Sequence, residues 1–412
     1  MSRIKIKNFG PIKEGLPDNE GWIDIKKVTV FIGNQGSGKS SIAKLISTFS
    51  WIEKVLTRGD FSVKEFTARS FKNKYCEYHR ISNYFIKEQT EIHYEGDSYN
   101  FTYTAEGNFI IEKAENGLNG YPLPQIMYVP AERNFISMMN LPSLIKELPE
   151  SLVTFLSEYD KAKENIDDHY RLPINGAQLK YNRQSKVITI IGDDYDIKLQ
   201  EASSGFQSLV PLYIVSDYLH GSVEKQAENS TKMSSDETRR FEEGVRSIWD
   251  DNTLSDAQRR AALSALSSRF NKSAFINIVE EPEQNLFPSS QEDIMRSLLE
   301  FNNSLDANKL IITTHSPYLT NFLTVAVKAG ILKEEIENKK DEGLLAELDD
   351  VFSLNAAVNK DDIAIYELEE KHGTVELLKT TRGLPADDNF LNSMLDDSNE
   401  LFAELLGIQQ KL

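Results

Sequence analysis

The chain carries one cysteine, Cys76, in 412 residues. A lone thiol excludes an intrachain disulfide and a cysteine metal cluster. The six histidines (His79, His93, His169, His220, His315 and His372) show neither HxxxH nor HExxH spacing, so no zinc-hydrolase signature is present. No apolar run approaches the ~18 residues that a membrane span needs. The opening "MSRIKIKNFGPIK" is charged and alternating, which reads as an edge strand leading to a Gly-Pro turn and not as a signal peptide. A soluble, cytoplasmic chain with no membrane partner is expected. Basic charge is also scarce: 46 Lys and Arg stand against 64 Asp and Glu, a formal net charge of −18. Such a chain should not coat nucleic acid indiscriminately. No segment sustains the roughly three to four heptads of a coiled coil, which excludes a long tether. No internal repeat or low-complexity tract occurs.

What remains is enough for a large core, with 40% hydrophobic residues. The length suits roughly two or three domains, or one large α/β domain with insertions. "GWIDIKKVTVFIG" reads as a strand pair, the second part apolar enough for a buried sheet. "EIHYEGDSYNFTYTAEGNFIIEK" reads as a β-meander with turns at Glu95-Gly96-Asp97 and Glu106-Gly107-Asn108. "AFINIVEEPE" and "NKLIITTHSP" are short buried strands, "DDIAIYELEEKHGTVELLKTT" a late hairpin, and 387–409 an acidic helix. Buried parallel-type strands together with hairpins predict an α/β fold with a mixed central sheet and an antiparallel lobe.

Three strand ends carry chemistry. Gly33-Asn34-Gln35-Gly36-Ser37-Gly38-Lys39-Ser40 is GxxxxGK[ST] between a buried strand and a helix. This is the P-loop context: glycines let backbone N–H groups wrap phosphates, Lys39 neutralises them, and the Ser40 hydroxyl ligates Mg²⁺. Ser41 continues that helix. Glu280 and Glu281 end an apolar strand just before Pro282. A parallel strand beside the P-loop strand would deliver both to a nucleotide, Glu280 on the metal side and Glu281 on the attacking water. His315 follows Thr313-Thr314 at another strand end, placed to hydrogen-bond a γ-phosphate.

A fourth element is "EASSGFQSLV", a polar knot running into an apolar helix. By itself it is a loop and a helix cap. The order of P-loop, SSGFQ, "IVEEPE" and "TTHSP" resembles the ABC-type ATPase heads of the SMC, RecF and OLD groups. It is most similar to stand-alone ATPase subunits of prokaryotic anti-phage systems such as Septu and PARIS. That resemblance implies a P-loop NTPase head at 1–325 with helical insertions at about 135–182 and 221–271, then a hairpin and helix extension at 326–412 without a TOPRIM nuclease. It also implies ATP and Mg²⁺ as ligands, and head-to-tail homodimers or higher homo-oligomers through composite sites. Each nucleotide would lie between one chain's P-loop and the other chain's signature loop. Ser204, Gly205 and Gln207 match the usual LSGGQ, whereas Ser203 and Phe206 depart from it. Glu280 stands where the family has Asp, leaving room for a metal-bridging water. Gln284-Asn285-Leu286 fall where the family's D-loop crosses the interface, and Glu132 or Arg133 in "YVPAERN" would either approach the nucleotide or couple it to the insertion, or else form a structural salt bridge at a strand end. An effector, a nuclease or toxin from a neighbouring gene, is implied as partner. DNA is the alternative one, in a RecF-like clamp. Residues 54–87 hold eight Lys/Arg against three acids, interleaved with Phe61, Phe66, Phe71, Tyr75, Tyr78, Tyr84 and Phe85. They read either as a nucleic-acid patch or, in the favoured reading, as amphipathic helices with aromatic core faces. A slow, nucleotide-dependent scaffold is a third reading.

Overall fold

The computed structural model describes residues 2–115, 121–138, 148–167, 170–228, 235–250, 266 and 272–410. Much of the expected insertion at 221–271, and part of the one expected at about 135–182, lies outside them. A six-stranded sheet forms the centre, in the order β15-β14-β3-β13-β12-β7. Its strands are β3 (Val28–Gly33), β7 (Pro124–Val129), β12 (Ala274–Glu280), β13 (Lys309–Thr314), β14 (Ile363–Glu369) and β15 (Thr374–Leu377). All neighbours pair parallel except β14 with β15, so the sheet is mixed. Every residue of β3 and of β12 is buried, as expected of apolar strands covered on both faces.

Strand periodicity sorts β3 between two cores. Val28, Val30 and Ile32 point into a helical layer, which includes α3 (Glu150–Lys163), α4 (Ser204–Glu228), α6 (Pro288–Asn303) and α7 (Pro317–Lys339). Phe31 points the other way, toward α1 (Lys39–Arg58) and a five-stranded antiparallel lobe. That lobe has the order β2-β1-β4-β5-β6, built from β1 (Arg3–Lys7), β2 (Trp22–Asp24), β4 (Glu91–Glu95), β5 (Tyr99–Tyr103) and β6 (Phe109–Lys113). A four-stranded antiparallel sheet, β8 (Tyr170–Arg171), β9 (Gln178–Asn182), β10 (Val187–Ile191) and β11 (Asp196–Lys198), packs on the helical side. Other helices among the described residues include α2 (Asn134–Met138), α5 (Ser235–Asp250), α8 (Glu342–Val351) and α9 (Phe390–Gln409). This is the α/β P-loop class expected from the sequence, with its mixed central sheet and antiparallel lobe.

Three placements differ from the sequence reading. β1 is no edge strand: it pairs with β2 on one side and β4 on the other. β2 and β3 belong to different sheets. The hairpin at 363–377 does not stand apart as an extension, because β14 pairs parallel with β3 and enters the central sheet. A boundary at 325 would therefore cut one sheet in two. The reason is visible in "IAIYELE", whose inner residues are all buried and which is apolar enough to lie beside the P-loop strand.

Candidate active site

Register brings the three functional strand ends to one edge. Ile32 of β3 pairs with Thr314 of β13, and Thr313 of β13 pairs with Glu280 of β12. The next residues along these strands are Gly33, His315 and Glu281. β12 is thus not beside β3, as the sequence reading had it; β13 lies between them. The carboxylates still reach the P-loop edge, because all three strands are parallel and end level.

The P-loop is a cradle that only glycine backbones allow. Gly33, Gly36 and Gly38 adopt φ of 141°, 78° and 108°. A Cβ on Gly33 would meet the Leu368 carbonyl of β14 at 2.6 Å, and one on Gly38 would meet Ile12 at 2.8 Å. Asn34, Gln35 and Gly36 are exposed, Ser37, Gly38, Lys39 and Ser41 are buried, and Ser40 is half-buried. Lys39 Nζ donates to the carbonyls of Gly33 (2.9 Å) and Asn34 (2.8 Å). Burial drives the Lys39 ammonium down from 10.5 to about 8, against the pull of Glu281, Glu283, Glu280 and Glu370. Lys39 therefore lies within electrostatic reach of the acidic strand end.

Glu280 is 4% exposed, and its Oε2 accepts from Ala131 N at 3.3 Å. Its other oxygen, Oε1, is buried without a hydrogen-bond partner, as is Ser37 Oγ. Unpaired buried oxygens are costly, and both fit a site that receives a cation and phosphates. Among the described residues no group of three or more His, Cys, Asp or Glu could hold a metal by itself. Ser40 and Glu280 are the residues that could hold Mg²⁺, with phosphate oxygens and water completing its shell.

Glu281 has φ 45°, a left-handed backbone rare for a side chain of this kind. The turn is held by Glu281 N donating to Thr313 O at 2.8 Å. It aims the carboxylate at His315, with Nε2 and Oε1 3.4 Å apart. Hydrogen bonding to His315 holds the Glu281 carboxyl below its ordinary value, against the effect of burial. Both side chains are partly exposed at the sheet edge. The pair can position a water and sense a phosphate oxygen.

Glu283 was not singled out from the sequence. Its Oε1 accepts from Thr314 Oγ1 and from His315 N, both at 2.7 Å, so it fixes the turn that presents His315. Burial raises its own pKa. Its proximity in "EEPE" was the available signal.

The signature-like loop lies on the carboxylate loop of the same chain. Helix α4 begins at Ser204, which is exposed; Gly205 is half-buried. A Cβ on Gly205 would meet the Asn285 carbonyl at 2.9 Å. Phe206, the departure from the usual motif, is buried in the helical core. Gln207 turns inward, its Nε2 donating to the carbonyls of Gln200 (3.0 Å) and Ala202 (3.1 Å). It braces the loop, while Ser203 and Ser204 stay exposed.

In the 54–87 stretch, Phe66, Phe71 and Tyr75 are buried, and Phe61 and Phe85 pack against the same core. These rings fill the lobe and offer no stacking platform. Among the described residues no helix is long and apolar enough to cross a membrane.

A family model described as an AAA ATPase domain matches residues 257–320, which span the carboxylate and histidine strands. No curated protein matches. Solved structures align along almost the whole chain at low identity. The SMC head domain from Thermotoga maritima is 13% identical, with 92% of this chain and 98% of that one covered and a TM-score of 0.36. An Smc head domain with an extended coiled coil, bound to the C-terminal domain of ScpA and derived from Pyrococcus furiosus, is 12% identical, with 98% and 100% covered and a TM-score of 0.37. A dimeric ATP-binding cassette bound to ADP and Pi is 13% identical, with 92% and 100% covered and a TM-score of 0.26.

Proposed function

We propose that the chain is an ABC-type ATPase that binds ATP with Mg²⁺, closes as a head-to-tail dimer and reopens after hydrolysis. One observation carries the reading: Glu280, Glu281 and His315, at or just past the ends of two parallel strands, converge on one edge with the glycine cradle that follows β3 and with Lys39, the first residue of α1. Backbone N–H groups of Gly36 to Ser40 and the Lys39 ammonium would bind the phosphates. Ser40 and Glu280 would hold Mg²⁺, which screens phosphate charge when bound. Glu281, kept ionised by His315, orients the attacking water and accepts its proton; His315 donates to the γ-phosphate. Ser204 and Gly205 act on the partner's nucleotide.

The cycle would serve as a switch on a partner protein. Control of a nuclease or toxin in anti-phage defence is the setting that the motif resemblance supports. The DNA-clamp alternative is less favoured, since Phe61, Phe66, Phe71, Tyr75 and Phe85 of 54–87 are committed to the core and Tyr84 alone of these aromatics is exposed.

Glu281→Gln tests the reading. Hydrolysis should fall by about 10²-fold or more, while dimers accumulate with ATP and are seen by light scattering. Wild-type turnover with no accumulated dimer would overturn the assignment of Glu281.

A further inference from the structure

In a head-to-tail dimer, the carboxylate edge and the signature helix of one chain serve different nucleotides. In this chain the two are joined through Arg133. Its guanidinium is 0% exposed and bonds only to backbone carbonyls in the hydrogen bonds described. Nη1 donates to Pro130 O (3.2 Å) and Glu280 O (2.6 Å), Nη2 to Glu281 O (2.6 Å), and Nε to Ser208 O (3.0 Å). The rigid guanidinium fork thereby fixes the end of β7, the end of β12 and the first turn of α4 relative to one another.

Two further bonds run between the same parts. Asn285 Nδ2 donates to Ser208 Oγ at 3.0 Å, and Ser137 Oγ donates to Gln207 O at 2.8 Å. The close approach of Gly205 to the Asn285 carbonyl leaves no slack between the loops. Burying a guanidinium is expensive, and this one is satisfied by four carbonyls rather than by a carboxylate partner.

We propose that Arg133 is a positioning residue that couples the two composite ATP sites of the dimer. Seating a nucleotide against Glu280 and Glu281 of one chain sets, through Arg133, the Ser204–Gly205 turn that the same chain offers to its partner's nucleotide. The proposal rests on the composite-site reading above. Arg133 itself touches no nucleotide.

The test is the ATP dependence of hydrolysis in the full chain, with binding followed separately by a fluorescent ATP analogue. Wild type should be cooperative, with a Hill coefficient approaching ~2 for two coupled sites. Arg133→Lys keeps the charge and loses the fork. It should bind the analogue within about threefold of wild type while its Hill coefficient falls toward ~1. Asn285→Ala cuts the second strut without removing a buried charge, and should lower the coefficient with the melting temperature preserved. It carries the test alone if Arg133→Lys does not fold. An unchanged Hill coefficient in the folded variants, or a non-cooperative wild type, overturns the coupling. Glu281→Gln separates the two levels. If it still traps ATP dimers while Arg133→Lys stays cooperative, the coupling fails and the composite site stands. If it loses turnover yet traps no ATP dimer, the composite site itself fails, and the coupling with it.

Discussion

The carboxyl edge of the central sheet and the aromatic lobe on its flank are built from opposite materials. At the edge, the backbone turns left-handed at Gly33, Gly36, Gly38, Glu281 and Asn285. Ser37 Oγ, Glu280 Oε1, Glu283 Oε2 and Thr313 Oγ1 are buried without hydrogen-bond partners. In the lobe, the strands pair in regular antiparallel register, and Phe49 lies within 5.5 Å, centroid to centroid, of Phe71, Tyr94 and Phe101. Each region holds ionisable groups displaced by burial, among them one lysine and one glutamate. Lys39 at the edge is driven down to about 8. Glu53, under the lobe, is driven up to about 7, with its Oε1 accepting from Ser98 N (2.6 Å) and Tyr99 N (3.2 Å). The difference is one of purpose. The lobe gains stability from close-packed rings, whereas the edge keeps strain and unpaired oxygens that a ligand can satisfy.

That contrast can be broken from either side. Phe49 is fully buried, so Phe49→Ala should cost about 3–5 kcal/mol, read by chemical denaturation. ATP affinity in whatever protein remains folded should be little changed, because the cavity lies in the lobe. A loss below about 1 kcal/mol would show that the lobe is loosely packed.

The smaller effect is a pH dependence at the edge. Below about 8 the Lys39 ammonium is already charged and binding phosphate takes up no proton. Above it, binding must restore the proton, so ATP affinity should weaken by up to about tenfold per pH unit. The free protein should behave in the opposite sense. Burial favours neutral lysine, so this group adds stability as pH rises from about 8 toward 10.5. An analogue titration between pH 7 and pH 9.5 reads the first effect, and a flat profile would refute it.

The sequence revealed the chemistry of the strand ends better than their neighbours. The P-loop was legible because its glycine spacing and lysine have one physical reading between a strand and a helix. Glu280, Glu281 and His315 were legible because apolar strands stop abruptly in charge. The order of strands was not: nothing local says that β13 separates β3 from β12, since parallel neighbours are chosen by helix packing far along the chain. β14 was hidden for the same reason, because a partner of β3 more than three hundred residues away leaves no local mark. Glu283 and Arg133 were visible as charged residues at strand ends. Their work lies in bonds to backbone groups of other segments, which no spacing rule reports. Gln207 matched a motif position, yet its amide braces its own loop.

The composite site is tested most directly by mixing two crippled chains. Lys39→Ala removes the P-loop cation and keeps the signature turn. Ser204→Arg blocks that turn and keeps the P-loop. Neither variant alone can form a complete site, but a mixed dimer contains one. The account predicts that each variant is nearly inactive by itself and that ATP hydrolysis appears when the two are combined. Wild-type turnover by Ser204→Arg alone, or no gain on mixing the folded variants, would contradict it.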